Sequence, residues 1–294
     1  MTMMTRMTTM RSLGLGFTLG LLQAPALAAQ EPAVTVFRDV SVLTMQDDLV
    51  LRGQTLITRG SEIAWFGPDD QARIPDGAKV IDGSGRYLMP GLADMHVHAS
   101  RTDLPLFLAN GVTTIREMNG ADWHVAVRDS IREGSAVGPR MLVASSLLAG
   151  EEQPWRHELV GSTEAAYAVA HRAEEMGFDY LKVYDGLSAD AYAALAEASN
   201  TLGLPLTGHI PSAVGLDGVL AVGQRSIEHA EQIMYATVGH RPDPSAISEI
   251  VAKLAGTGIR VAPTLASQQM LALARTPAYD ERLGPPDLKG YGRS

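Results

Sequence analysis

The 294-residue sequence predicts an α/β fold: an incomplete (β/α)8 barrel of the TIM type, about seven strands long, preceded by a small β-sandwich domain. Three observations carry this. Residues 34–83 break into short β-like runs closed by Gly, Asp or Pro. From residue 91 onward, apolar strand patterns alternate with Ala-rich amphipathic stretches, the rhythm of a parallel sheet. Seven such units follow one another, which fits a barrel better than an open sheet. A hydrophobic fraction of 46% supplies a core and excludes wholesale disorder. With no cysteine, disulfide scaffolds, iron–sulfur clusters and thiol nucleophiles are excluded, so a metal site must use His, carboxylates or a less usual ligand. A formal charge of −9 argues against a nucleic-acid partner.

In chain order, residues 1–28 read as a signal peptide: Arg6 and Arg11, an apolar run over 13–22, then Ala26-Leu27-Ala28. The run is well short of the ~20 residues that a membrane span needs. Export to the periplasm or medium follows, with no membrane span after cleavage. Residues 29–88 form the small β-domain, a sandwich or half of one, with strands over 34–44, 54–60, 61–67 and 78–83. Asp82-Gly83-Ser84-Gly85 is a turn, because no helix follows it. Residues 89–294 form the barrel. Strands are predicted near 91–98, 112–117, 140–146, 180–184, 205–209, 226–229 and 260–264. Helices are predicted over 123–133, 163–176, 188–202, 245–255 and 266–275, the second and third opened by Ser or Thr caps and closed by Gly.

The chemistry starts at Asp94-Met95-His96-Val97-His98. Residues i and i+2 of a strand share a side, so His96 and His98 can place two imidazoles in one cavity. Lys182 sits inside an apolar strand pattern, where a buried neutral amine can add carbon dioxide and present a carbamate to metal; a snorkelling or ion-paired lysine is the alternative. His209 and His229 each end a short apolar run, a position that also suits a hydrogen-bonded core histidine. Together these five residues fall at the C-terminal ends of strands one, four, five and six, where barrel enzymes build their sites. Tyr184 shares the Lys182 face and could meet a substrate. Arg101 and Arg116 are expected at the surface or in structural roles. Glu117 ends strand two. His124, His157, His171 and His240 are expected to be solvated, and Ser145-Ser146 lacks a nucleophile elbow.

This ordered set resembles the metal-dependent amidohydrolase superfamily. The phrases VIDGSGRYLMPGLADMHVH, NGVTTIREM, YLKVYDGLS, GHIPSAVG and SIEHAEQ resemble its imidazolonepropionase-like and Xaa-Pro-dipeptidase-like branch, over about residues 34–274. The resemblance implies a divalent-metal site holding two zinc ions. His96 and His98 would bind the buried ion, a carboxylated Lys182 would bridge, and His209 and His229 would hold the second. It implies a metal-bound hydroxide that attacks C–N bonds in small-molecule amides, dipeptides or cyclic amides. The family carries an Asp at the end of strand eight. Asp280 and Asp287 are the only Asp residues after Thr264, and neither ends an apolar strand. The expectation is therefore a chain truncated before strand eight and before the strands that complete the small domain. Self-association remains open. The alternative expectation is a non-catalytic remnant with partial metal binding.

Overall fold

A computed structural model describes residues 32–239, 241 and 243–274. The signal segment, His240, Arg275, Asp280 and Asp287 lie outside the described residues. The chain divides into two compact units, one ending at Pro90 and the other starting at Gly91.

The first unit is a single mixed sheet, the half-sandwich form of the expectation. β1 (Val34–Leu43), β2 (Val50–Arg59), β3 (Glu62–Pro68) and β4 (Lys79–Asp82) are ordered β3-β2-β1-β4, and β5 (Tyr87–Leu88) also pairs with β1. β1–β2 and β2–β3 run antiparallel, while β4 and β5 run parallel to β1. Val36, Val40, Val42 and Ile57 are buried. Buried Thr55 donates to Asp69 Oδ1 at 2.6 Å, and Arg38 pairs with the same carboxylate.

The second unit is the barrel sheet. Its strands are β6 (Leu92–Val97), β7 (Val112–Glu117), β8 (Arg140–Ala149), β10 (Tyr180–Val183), β11 (Leu206–Gly208), β12 (Ser226–Glu228) and β13 (Arg260–Ala262). They pair in parallel in the order β13-β12-β11-β10-β8-β7-β6, and a short β9 (His157–Leu159) pairs with the end of β8. Helices alternate with them: α1 (Leu104–Ala109), α2 (Asp122–Arg132), α3 (Thr163–Glu175), α4 (Ala189–Leu202), α5 (Gly215–Ala221), α6 (Ala230–Thr237), α7 (Ile247–Leu254) and α8 (Leu265–Leu273). This is an incomplete TIM-type barrel with a small N-terminal sheet domain. No eighth barrel strand is present among the described residues. The edge strands β6 and β13 border a cavity of about 440 Å³ lined by Asp94, His96, Arg116, Ser226, Arg260 and Thr264, among others.

The seven barrel strands were legible because parallel strands covered by helices read as apolar runs. Ile115, Val143, Leu148, Leu181, Val183 and Ile227 are fully buried in one core. α3 and α4 start where predicted, with the Ser162 and Ser188 hydroxyls accepting from the N–H of Ala165 and Ala191. α1, α5, α6 and β9 were not predicted. All are short, and the three helices carry no side-chain cap.

Candidate metal centre

Strand ends bring four histidines and one lysine together. His96 stands near the end of β6, His98 one residue past it, His209 directly after β11 and His229 directly after β12. The ring centroids form a chain: His98 to His96 at 5.3 Å, His96 to His229 at 4.5 Å, and His229 to His209 at 5.1 Å. Two backbone features set this up. Gly208 has φ of +133°, and a Cβ there would lie 2.0 Å from the Val183 carbonyl oxygen, so only glycine lets β11 approach β10 just before His209. His229 has φ of +69° in a non-glycine residue, a strain of the kind that collects at functional sites.

Three of the four imidazoles are held at Nδ1. His96 Nδ1–H donates to Glu228 Oε2 at 2.8 Å, and His209 Nδ1–H donates to Asp185 Oδ1 at 2.8 Å. His229 Nδ1 is hydrogen-bonded to Thr264 Oγ1 at 2.8 Å, and His98 Nδ1 lies 3.5 Å from Glu117 Oε1. That arrangement leaves each Nε2 for a further ligand, as in carboxylate–histidine–metal triads. Nε2 of His209 is buried and has no partner among the described residues; the same is true of Lys182 Nζ. Lys182 is 1% exposed on β10, with Leu181 and Val183 in the apolar core on the opposite face. A register shift between β8 and β10 occurs at this point, and the Lys182 N–H donates to the Ser145 hydroxyl at 3.0 Å.

The electrostatics favour neutral donors. Burial pushes the pKa of His96 and His209 below the ordinary imidazole value, and that of His229 down to about 3, helped by the neighbouring His96 and Lys182. Burial likewise brings Lys182 from 10.5 down to about 8. Burial alone would raise Glu228, but the bond from His96 and the charges of Arg116 and Lys182 outweigh it and hold the carboxyl at about 2. Neutral imidazoles and an amine with a lowered pKa are the protonation states that metal ligation requires. Among the described residues, no group of three or more His, Asp or Glu side chains is placed to hold a metal ion without rearrangement of the side chains.

Other residues depart from expectation. His124, expected to be solvated, is buried: its Nδ1 accepts from the Ala121 N–H at 2.9 Å, and its Nε2–H donates to the Ala99 carbonyl at 3.0 Å. Capping the first turn of α2 and tying it to the His98 segment is what draws it in. Glu117 is buried, accepting from the N–H of Ala99 and Asn119. Arg116, expected at the surface or in a structural role, is buried and donates to the Met95 carbonyl, Ser226 and Glu228. Arg101 lies over Trp123 at 4.8 Å. The Tyr184 ring lies tilted against His209, with centroids 4.1 Å apart. Glu228 was missed as a candidate. The signal was available, because Ser226 and Glu228 alternate onto one face of the strand ending at His229.

No family model matches the chain. Among curated proteins, it is 36% identical to an adenine deaminase of Rubrobacter xylanophilus over 73 residues, which is 25% of this chain and 12% of that protein. It is 31% identical to a 5-methylthioadenosine/S-adenosylhomocysteine deaminase of Symbiobacterium thermophilum over 108 residues, 36% of this chain and 24% of that one. The matched stretches thus span a quarter or less of these relatives' length. Among solved structures, a putative prolidase from Bifidobacterium longum superposes with a TM-score of 0.61 at 24% identity, covering 68% of this chain and 55% of that one. A Xaa-Pro dipeptidase with bound methionine superposes with a TM-score of 0.65 at 18% identity, covering 82% and 69%. Both share the fold. Taken together, the matched relatives are deaminases and the fold is that of prolidase and Xaa-Pro dipeptidase structures, so the chain resembles the metal-dependent amidohydrolase superfamily.

Proposed function

We propose that this protein is a metal-dependent hydrolase of C–N bonds in small molecules. One observation carries the reading: four imidazoles, three of them hydrogen-bonded at Nδ1, gather at the ends of barrel strands with a buried lysine amine that has no hydrogen-bond partner among the described residues. His96 and His98 would hold one divalent ion and His209 and His229 a second, with zinc the ion best suited to imidazole donors. Lys182 would join them as a carbamate, since an amine that is neutral near pH 8 can add carbon dioxide. Bound there, the ions would supply Lewis acidity and lower the pKa of water toward ~7. The chain's own residues would do the rest. Glu228 and Asp185 orient His96 and His209, and Tyr184, half-buried against His209, offers a phenol O–H to a substrate carbonyl or carboxylate.

Amides, dipeptides and cyclic amides are the substrate class proposed, in keeping with the prolidase-like and deaminase-like company the chain keeps. The domain plan belongs to the same reading: residues 1–28 direct export, 29–88 form the small sheet domain and 89–294 carry the hydrolase barrel. Among the described residues, no helix is long and apolar enough to cross a membrane. The test is hydrolysis of a panel of Xaa-Pro dipeptides, N-acyl amino acids and aminopurines by zinc-loaded full-length protein. Turnover that is abolished by chelator and by His96→Ala supports the proposal. Turnover that survives both overturns it, and a zinc-loaded chain inert to the whole panel favours the non-catalytic alternative.

A further inference from the structure

Glu228 is the hub of a buried polar network that crosses the barrel. Its Oε1 accepts from Arg116 Nη2 at 2.6 Å, Thr207 Oγ1 at 2.8 Å and Ser226 Oγ at 2.5 Å, while Oε2 accepts from His96 Nδ1 at 2.8 Å. Arg116 is fixed in turn: its Nε donates to the Met95 carbonyl at 2.8 Å and its Nη1 to Ser226 Oγ at 3.0 Å. The network joins β6, β7, β11 and β12. Its members are all nearly inaccessible: Glu228 is 0%, Arg116 4%, Thr207 0% and Ser226 2% exposed.

Lys182 projects from β10, the strand beside β11, and its charge interacts with Glu228 and Arg116. Yet its Nζ makes no hydrogen bond among the described residues. A buried amine and a buried carboxylate within electrostatic reach ordinarily pair, because each otherwise carries an uncompensated desolvation cost. Here they do not, and the reason is visible in the donor list. Three donors already crowd Glu228 Oε1, and Oε2 is turned to His96.

We propose that Arg116 is a positioning residue of the metal centre. By occupying Glu228 Oε1 together with Ser226 and Thr207, it keeps Oε2 of that carboxylate aimed at His96 and leaves the Lys182 amine free to serve the metals. The inference rests on the metal-centre reading above. It differs from a plain packing role for Arg116, in which the guanidinium merely fills the barrel interior.

The experiment is zinc binding to metal-free, full-length protein, measured by competition against a chromogenic chelator. Arg116→Met removes the forked donor while keeping bulk, and zinc affinity should fall about 10–100-fold, the range for loss of a group that orients ligands. In the double variant Arg116→Met/Glu228→Gln, the amide still accepts from His96 but carries no charge to hold Lys182. Affinity should recover to within about tenfold of wild type, a non-additive result that marks coupling. Should Arg116→Met fail to fold, Thr207→Val removes one donor to Oε1 in an isosteric side chain and should weaken zinc in the same direction. Wild-type affinity in Arg116→Met, or in Thr207→Val where that variant stands in for it, or a double variant weaker than the single, overturns this inference alone. A wild-type protein that binds no zinc overturns the metal-centre reading and this inference with it.

Discussion

Replacing Lys182 by Met should stabilise the metal-free protein while removing its capacity for metal. Lys182 is a long cation buried to 1% exposure with no hydrogen-bond partner for Nζ among the described residues. A buried unsatisfied polar group costs about 1–3 kcal/mol. The pKa gives a second route to a similar number. Burial lowers it from 10.5 to about 8, and at about 1.4 kcal/mol per unit this is a penalty of roughly 3.5 kcal/mol on the charged form. The sign follows from proton linkage. Below pH 8 the amine is protonated in both the folded and the unfolded chain, so the folded state carries the full penalty. Between pH 8 and 10.5 the unfolded chain binds more protons than the folded one, so stability rises with pH. Above 10.5 the penalty is gone.

Methionine has similar length, fills the same space and has nothing to desolvate. Lys182→Met should therefore gain about 2–3 kcal/mol at pH 7, and the gap to wild type should close as pH approaches 10.5. Urea unfolding of both chelator-treated proteins at pH 7 and pH 10 measures this. Added zinc at a hundredfold excess over its Kd should then stabilise wild type by about 2.7 kcal/mol and leave the variant unmoved. A variant less stable than wild type at pH 7, or a gap that does not narrow with pH, would refute the reasoning. It would mean that Lys182 has a compensating partner.

Further predictions follow the same geometry. Asp185→Asn weakens the anchor on His209 Nδ1 and should lower zinc affinity about tenfold with little change in the unfolding midpoint; a competition titration reads it. Gly208→Ala must place a Cβ 2.0 Å from the Val183 carbonyl oxygen at φ of +133°, and should cost about 2–4 kcal/mol in chemical unfolding. Ser188→Ala removes the cap of α4 and should cost about 1 kcal/mol with zinc binding intact. His124→Gln should disturb the first turn of α2 and be read as a loss of about 1–2 kcal/mol, because both ring nitrogens are bonded to backbone.

The sequence exposed what is periodic and what is local. His96 and His98 share one face because of their spacing, and Lys182 stood out as a charge inside an apolar strand. The long capped helices α3 and α4 announced their own ends. Short helices did not, because six to eight residues without a side-chain cap give neither periodicity nor a start signal. What orients the ligands was harder still. Glu228 meets His96 from 132 residues away, and Arg116 reaches Glu228 across 112. No local pattern encodes such pairs; they exist only once parallel strands close around a common interior. His124 shows the same limit in reverse. It sits on a helical stretch that reads as exposed, and the backbone it binds, Ala99, belongs to the segment after another strand.

The central claim is that these strand ends hold divalent metal. Elemental analysis of the purified, zinc-replete protein beside a His96→Ala/His229→Ala variant tests it most directly. At least one tightly held zinc per chain in the wild type, lost in the variant, is the predicted result. Substoichiometric zinc in the wild type, or equal zinc in both, would contradict it.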